Sequence, residues 1–303
     1  MEMNFCKKLS VVLTAFILVF TSCNKYDPNT SSVNPANPVK VKLKKVHTIH
    51  GLDTSDEEYI YNAANLVTLR RDSFALVYSS ALQHYAVFSS YFFYNASNEK
   101  PIKDSTITKM FYAPNTIRLY STITYYNYDT QNRLTKSESF VMGKIVYRKL
   151  YTYASDKRIE NYYTNNSSWV PWVFYVDTIS INSKSQVNEV ISHQSGANEV
   201  IYKSRFSFDT SKNPYFDLNI IKYGTRGTDS AYFRAHIIGQ NNCVQDSVYY
   251  QYGGNPYILS STRSNSFIYN GNGYPVSANI TETSFGFGPT PFINTFKISY
   301  EYY

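Results

Sequence analysis

The chain of 303 residues holds only three cysteines, Cys6, Cys23 and Cys243, at spacings that suit neither a disulfide framework nor a paired-cysteine zinc site. Tryptophan is scarcer still: its two copies sit together in Trp169-Val-Pro-Trp172. With 12 glycines and no glycine-rich loop leading into a helical pattern, a phosphate cradle is excluded, and G-x-S-x-G is absent too. No apolar run approaches the ~20 residues that a membrane-spanning helix requires. Charge is sparse: the net +7 is spread thinly, and Lys40-Val-Lys42-Leu-Lys44-Lys45 is the single dense basic stretch. Nucleic acid is therefore not an expected partner. The lysines are read as the fringe of an edge strand that resists pairing, with contact to acidic lipid as the alternative.

The N-terminus has the grammar of export. Lys7 and Lys8 precede an apolar run from Leu9 to Phe20, and Thr21-Ser22-Cys23 follows. A basic flank, a short apolar segment and small exit residues describe a signal peptide over residues 1–22. The exit Phe20-Thr21-Ser22-Cys23 resembles a bacterial lipobox, which implies lipidation of Cys23 and a membrane partner through that anchor. Residues 23–39, rich in proline, asparagine and serine, read as a flexible tether that spans about 50 Å when extended. Only Asp27 lies close behind the cysteine, so outer-membrane attachment is favoured over surface display, with the periplasmic face left open. Cys6 leaves with the signal, Cys23 is blocked by lipid, and Cys243 remains as a half-buried strand residue without a partner.

Residues 40–303 are expected to form one all-β domain. Thirty-one tyrosines and 19 phenylalanines favour pleated surfaces. A strand–turn–strand unit recurs: Tyr125–Phe140 around Asp129, Lys144–Thr164 around Ala154, Val173–Gln194 around Asn182, and Ser266–Thr283 around Asn270. A further unit is read at Glu199–Phe208, with Pro214–Ile221 as its return strand. The fold class is an antiparallel meander of hairpins, a curved sheet or a barrel-like domain. Residues 59–95 are the least patterned, and Tyr59–Leu69 reads as a short helix. The last strand alternates in the wrong phase for a lipid-facing wall: Phe296, Ile298, Tyr300 and Tyr302 share one face, Lys297, Ser299 and Glu301 the other.

The unit Tyr126-Asn-Tyr128-Asp129 through Arg133-Leu134 resembles a YD repeat of the RHS type. The turns at Phe208–Phe216 and Tyr269–Val276 are similar to those of Bacteroidota lipoproteins of unknown function. That resemblance implies a porin-like, mainly antiparallel fold and an envelope location, and carries no catalytic residue.

Chemistry is hard to find. His47, His50, His84, His193 and His236 stand in no metal-binding spacing, and His47 and His50 fall on opposite faces of a strand. Asp53 with Asp56-Glu57-Glu58 is the one carboxylate cluster, read as a solvated loop or first helical turn. No metal, cofactor or catalytic residue is assigned. Trp169 and Trp172 are the candidate ligand contacts, suited to stacking on sugar rings or anchoring a protein partner; the alternative is packing onto the sheet beside Phe174 and Tyr175. Asp177-Thr178-Ile179, Asp229-Ser230-Ala231 and Asp246-Ser247-Val248 resemble O-glycosylation acceptors, although a turn-to-strand junction yields the same triplet. The function read from these features is a binding or structural role in the cell envelope, for a glycan or a partner protein. The alternative is an envelope or polysaccharide hydrolase with acids on distant strands.

Overall fold

A computed structural model describes residues 41–78, 81–95, 99–112, 116–165, 171–182, 186–194, 200–222, 239–285 and 290–303. Within them run sixteen strands: β1 (Leu43–His50), β2 (Asp53–Tyr61), β3 (Val67–Tyr78), β4 (Ala81–Tyr94), β5 (Pro101–Tyr112), β6 (Thr116–Tyr128), β7 (Leu134–Val141), β8 (Lys144–Tyr153), β9 (Lys157–Asn165), β10 (Pro171–Ile181), β11 (Val187–Gln194), β12 (Val200–Lys212), β13 (Asn241–Tyr252), β14 (Ile258–Tyr269), β15 (Pro275–Ser284) and β16 (Phe292–Tyr302). Each pairs antiparallel with its neighbours in sequence, and β1 pairs with β16 to close a barrel. The all-β meander of hairpins is thus borne out, in its closed form.

Period-2 alternation sorts side chains into an inner and an outer face. On β16 the inner set is Phe296, Ile298 and Tyr300, all buried, while Lys297, Ser299 and Glu301 point out. The outer wall carries ion pairs: Lys45 with Asp56, Arg71 with Glu58, Arg148 with Glu138 and Lys203 and Arg205 with Glu189 across strands, and Lys136 with Glu138 along β7; His47 is hydrogen-bonded to Asp56. A lysine or arginine on a lipid-facing wall costs about 2–4 kcal/mol at the bilayer midplane. These sectors of the wall are built for water.

One end of the barrel, the base, is made by a repeated device. In Asn62–Leu66, Asp129–Arg133 and Asn270–Tyr274 the first residue's N–H donates to the fifth residue's carbonyl, its own carbonyl accepts the fourth residue's N–H, and its side-chain oxygen accepts the fifth residue's N–H. The fourth position is left-handed: Asn65 at φ 64°, Asn132 at φ 66°, Gly273 at φ 78°. Asparagine and glycine tolerate that conformation at least cost. The tyrosine that ends the preceding strand then reaches sideways. Tyr61 donates to the Leu43 carbonyl at 2.7 Å, Tyr128 to Pro101 at 2.7 Å, Tyr153 to Leu134 at 2.9 Å and Tyr302 to Pro275 at 2.6 Å; Tyr94 makes the same bond to Val67. In every case the acceptor is the first residue of the strand before, a carbonyl that the ladder leaves at the rim of the base.

Several expectations are corrected here. Tyr59–Leu69 is not a helix but the end of β2, a turn and the start of β3; its Tyr61-Asn62…Asn65 is the same unit as Tyr128-Asp129…Asn132. The Asp53–Glu58 cluster is strand, with Glu57 wholly buried, because alternation sends every second carboxylate inward. The lysine stretch precedes and enters β1, which is paired on both sides and so is no edge. Cys243 is fully buried rather than half-buried. Asp177 and Asp246 lie mid-strand and buried, not at turn-to-strand junctions.

Pro214–Ile221 is not a return strand. Pro214 has no N–H for a ladder, and the segment turns across the base into α1 (Asn219–Lys222). Leu218, Ile220 and Ile221 are buried in the main core with Leu43, Val67 and Tyr300. Asn219 locks them in place: its Oδ1 accepts the Val67 N–H at 3.0 Å, and its Nδ2 donates to the Tyr94 hydroxyl at 2.8 Å and the Glu99 carbonyl at 3.1 Å. The base is closed by this plug.

Each tyrosine–carbonyl bond at the base is expected to be worth about 1 kcal/mol net. Urea unfolding of Tyr128→Phe should show that loss, and Tyr61→Phe with Tyr128→Phe should add, the two sites being far apart. Tyr125→Phe, on the outer wall, should stay within about 0.5 kcal/mol of the parent.

Candidate functional site: the inner face of the barrel

Exposure along the inner face changes with height, and that gradient defines the site. On β6 it rises from 6% at Tyr126 to 43% at Tyr120; on β8 from 7% at Tyr151 to 51% at Tyr147; on β12 from 7% at Phe206 to 41% at Tyr202. In each pair both residues share one face by alternation. The interior is therefore dry towards the plugged base and open to water at the opposite end. Tyr120, Tyr147, Tyr202, Tyr250 and Tyr252 stand on the inner face near that opening, with Thr122, Ser139 and Ser192 among them.

Below the tyrosines lies a buried layer of charge. Arg70 forms ion pairs with Glu57, Nε to Oε1 at 2.7 Å, and with Asp72, Nη2 to Oδ1 at 3.0 Å. Arg158 meets Glu160 at 2.9 Å, and Arg263 lies between Asp246 at 3.7 Å and Glu282 at 3.4 Å. Glu57 also accepts from Tyr59 and, at 3.5 Å, from Tyr215 of the plug. Lys149 sits over the Tyr162 ring, 4.0 Å from its centroid. Removing one partner of such a pair costs about 3–5 kcal/mol, since it strands a charge away from water. These groups hold the wall in register.

Asp104 differs from them in having tyrosine and threonine as its hydrogen-bond partners. It accepts hydrogen bonds from Tyr126 and, at 3.1 Å, from Thr106. Burial pushes its carboxyl up to about 6, against the downward pull of those hydrogen bonds and of the Arg70 charge. The same burial, reinforced by the Asp104 charge, holds the Tyr126 phenol well above its usual range. Asp104 is thus half-protonated near pH 6.

The predicted ligand contacts are only partly placed. Trp169 lies outside the described residues, as do His236 and the Asp229 triplet. Trp172 is the second residue of β10, opposite Thr164, which in turn stands opposite Tyr147. The register therefore brings Trp172 into one row with the tyrosines of the open end, a row that sequence spacing alone did not disclose. His47 and His50 do fall on opposite faces: His47 meets Asp56 outside, and His50 stacks on Phe296 inside at 4.3 Å. Cys23 is outside the described residues. Among the described residues no three histidine, cysteine or acidic side chains gather as metal ligands.

The molecule is a closed antiparallel barrel, sealed at one end, with an aromatic opening at the other. No protein-family model matches the sequence, and no curated relative does. Among solved structures it is similar to a porin-like protein from Bacteroides uniformis ATCC 8492, at 12% identity over 90% of this chain and 100% of that one, with a TM-score of 0.44. A porin-like protein from Bacteroides vulgatus ATCC 8482 is similar at 9% identity, over 87% and 99% of the two chains, with a TM-score of 0.45.

Asp104 sets a pH dependence whose sign is fixed. Its folded-state pKa of about 6 exceeds the reference value of 3.8, so the folded chain holds the proton more tightly across that window. Stability falls as pH rises through it, by about 3 kcal/mol in all. Asp104→Asn should be more stable than the parent by about that amount near pH 7.5 and equal to it near pH 4. Urea unfolding at the two pH values checks this; an unchanged difference between them removes the assignment.

Proposed function

We propose that this chain is a lipid-anchored protein of the cell envelope that binds a glycan at the open, tyrosine-lined end of its barrel. The observation that carries the reading is the set of inner-face tyrosines Tyr120, Tyr147, Tyr202 and Tyr252, each about half exposed on a face whose aromatic side chains nearer the base, Tyr126, Tyr151 and Phe206, are buried. Flat aromatic faces with neighbouring hydroxyls suit the apolar faces and hydroxyl edges of sugar rings. Trp172 joins that end by register, which supports the pairing of Trp169 and Trp172 as further contacts. Acylation of Cys23, with residues 24–39 as the tether, supplies the membrane partner and an outer-membrane address. A protein partner at the same rim is the second form of this reading.

The hydrolase alternative is weaker, for a reason the geometry supplies. The inner carboxylates Glu57, Asp72, Glu160, Asp246 and Glu282 are buried against arginines. A glycosidase needs two carboxyls facing one water-accessible cleft about 5–9 Å apart.

A glycan array probed with the mature protein should return a defined set of ligands. For a ligand so found, Tyr147→Ala and Tyr202→Ala should each weaken binding about tenfold, the scale of a lost aromatic contact, while Arg205→Ala on the outer wall leaves it intact. Titration calorimetry checks this, and unchanged affinity in both tyrosine variants rejects the site. Mass spectrometry of protein purified from an acylating host should find Cys23 diacylated or triacylated; an unmodified cysteine rejects the anchor.

A further inference from the structure

One sector of the outer wall departs from the ion-paired sectors on either side of it. Across β4, β5 and β6 the outward positions align in rows: Tyr85, Phe111 and Ile117; Val87, Lys109 and Leu119; Ser89, Ile107 and Ser121; Tyr91, Ser105 and Ile123; Phe93, Lys103 and Tyr125. Among these described positions there is no carboxylate. Tyr91, Phe93, Ile107, Ile117, Leu119 and Tyr125 are all exposed. On either side of it the outward rows carry acids paired with bases, Lys45, Glu58 and Arg71 on β1–β3 and Glu138 with Lys136 and Arg148 on β7 and β8. Lys103 lies over the rings of Phe93 and Tyr125, 5.0 and 5.9 Å from their centroids.

We propose that this three-strand face docks the barrel on an anionic lipid surface, with the barrel lying on its side. The charge pattern selects the occupant. Two lysines without a carboxylate, set among aromatic and aliphatic side chains, complement the headgroup and upper acyl region of an anionic bilayer. A second copy meeting this face about a two-fold axis brings Lys103 and Lys109 against their own equivalents with no acid in the patch to offset them. The depth is shallow: the ion-paired sectors on either side stay in water, so the wall rests at the interface and does not cross the hydrocarbon. The docking does not depend on acylation. It turns the tyrosine-lined opening sideways, along the membrane surface.

The test uses the full chain with Cys6→Ala and Cys23→Ala, which removes acylation, and an environment-sensitive fluorophore on Leu119→Cys or on Arg205→Cys; Cys243 is buried and stays unlabelled. Vesicles of phosphatidylethanolamine with phosphatidylglycerol should shift the emission to the blue at position 119 and leave it unchanged at 205. The signal segment is common to both proteins, so the difference reports the face. Phosphatidylcholine vesicles should bind the unlabelled chain about thirtyfold more weakly, the factor that two lysines supply at an anionic surface. Ile107→Ser with Leu119→Ser should weaken cosedimentation by about thirtyfold or more, with the thermal midpoint held as the check on folding. Equal shifts at both positions, no preference for anionic lipid, or unaltered cosedimentation of the folded double variant overturns the proposal. So does a dimer that the double variant abolishes while vesicle binding persists, since the face then belongs to a second copy.

Discussion

Closure through the β1–β16 ladder is the constraint from which the rest follows. A sheet that meets itself has no edges, but it has an inner face that only its own side chains can furnish. Every polar group sent inward must find a partner there or cost about 1–3 kcal/mol, and more when it is charged. The chain meets this with two materials arranged by height. Near the base, aliphatic and aromatic side chains of β1, β2, β3 and β10–β16 gather around Leu218, Ile220 and Ile221 of the plug. Above them, arginines are shared among carboxylates of neighbouring strands.

Tyrosine suits such a barrel because it is an apolar body with one polar tip. At the base the body fills the core and the tip secures a carbonyl of the strand before, so each hairpin is tied to its neighbour by side chain as well as by ladder. Burial lifts the phenols of Tyr61 and Tyr302 above their ordinary range and that of Tyr94 to about 12, which keeps each a donor at physiological pH. At the open end the same residue type has no carbonyl to tie. Its ring is left in contact with water, where the proposed ligand would meet it. Height within the barrel, not residue identity, separates the two roles.

How much of this was legible depended on whether a signal was local. The hairpins at Tyr125–Phe140, Lys144–Thr164 and Ser266–Thr283 declared themselves through turn residues between alternating runs. Tyr59–Leu69 hid because its alanines, Ala63 and Ala64, mimic a helix, although Tyr61-Asn62…Asn65 repeats the turn grammar of Tyr128-Asp129…Asn132. The buried charges were readable in principle: Arg263 is in phase with Asn265, Phe267 and Tyr269, Glu282 with Ala278 and Ile280, and Glu57 with Tyr59 and Tyr61. A charge in step with an aromatic face is either exposed or paired, and choosing between them needs the neighbouring strand's register. Pro214–Ile221 was lost for the same reason, since its partners Val67 and Tyr94 lie far away in sequence. The open end was beyond reach, because exposure along one face follows from the plug and not from any strand taken alone.

The division of the barrel into a sealed base and an open rim also separates the contacts that hold the barrel together from the face proposed to bind. The hydrogen bonds and buried ion pairs that cost most to break lie towards the base, so the tyrosines at the rim are free of structural duty. Asp104 marks the boundary: it is buried enough for its proton to be retained towards neutrality, yet its partners are tyrosine and threonine. A chain under pressure for stability alone would replace that carboxyl with an amide or an apolar group. Its presence on the inner face beneath the opening, beside Tyr126 and in one row with Thr124, Ser139 and Tyr147, puts an incompletely settled charge on the face where a ligand would sit.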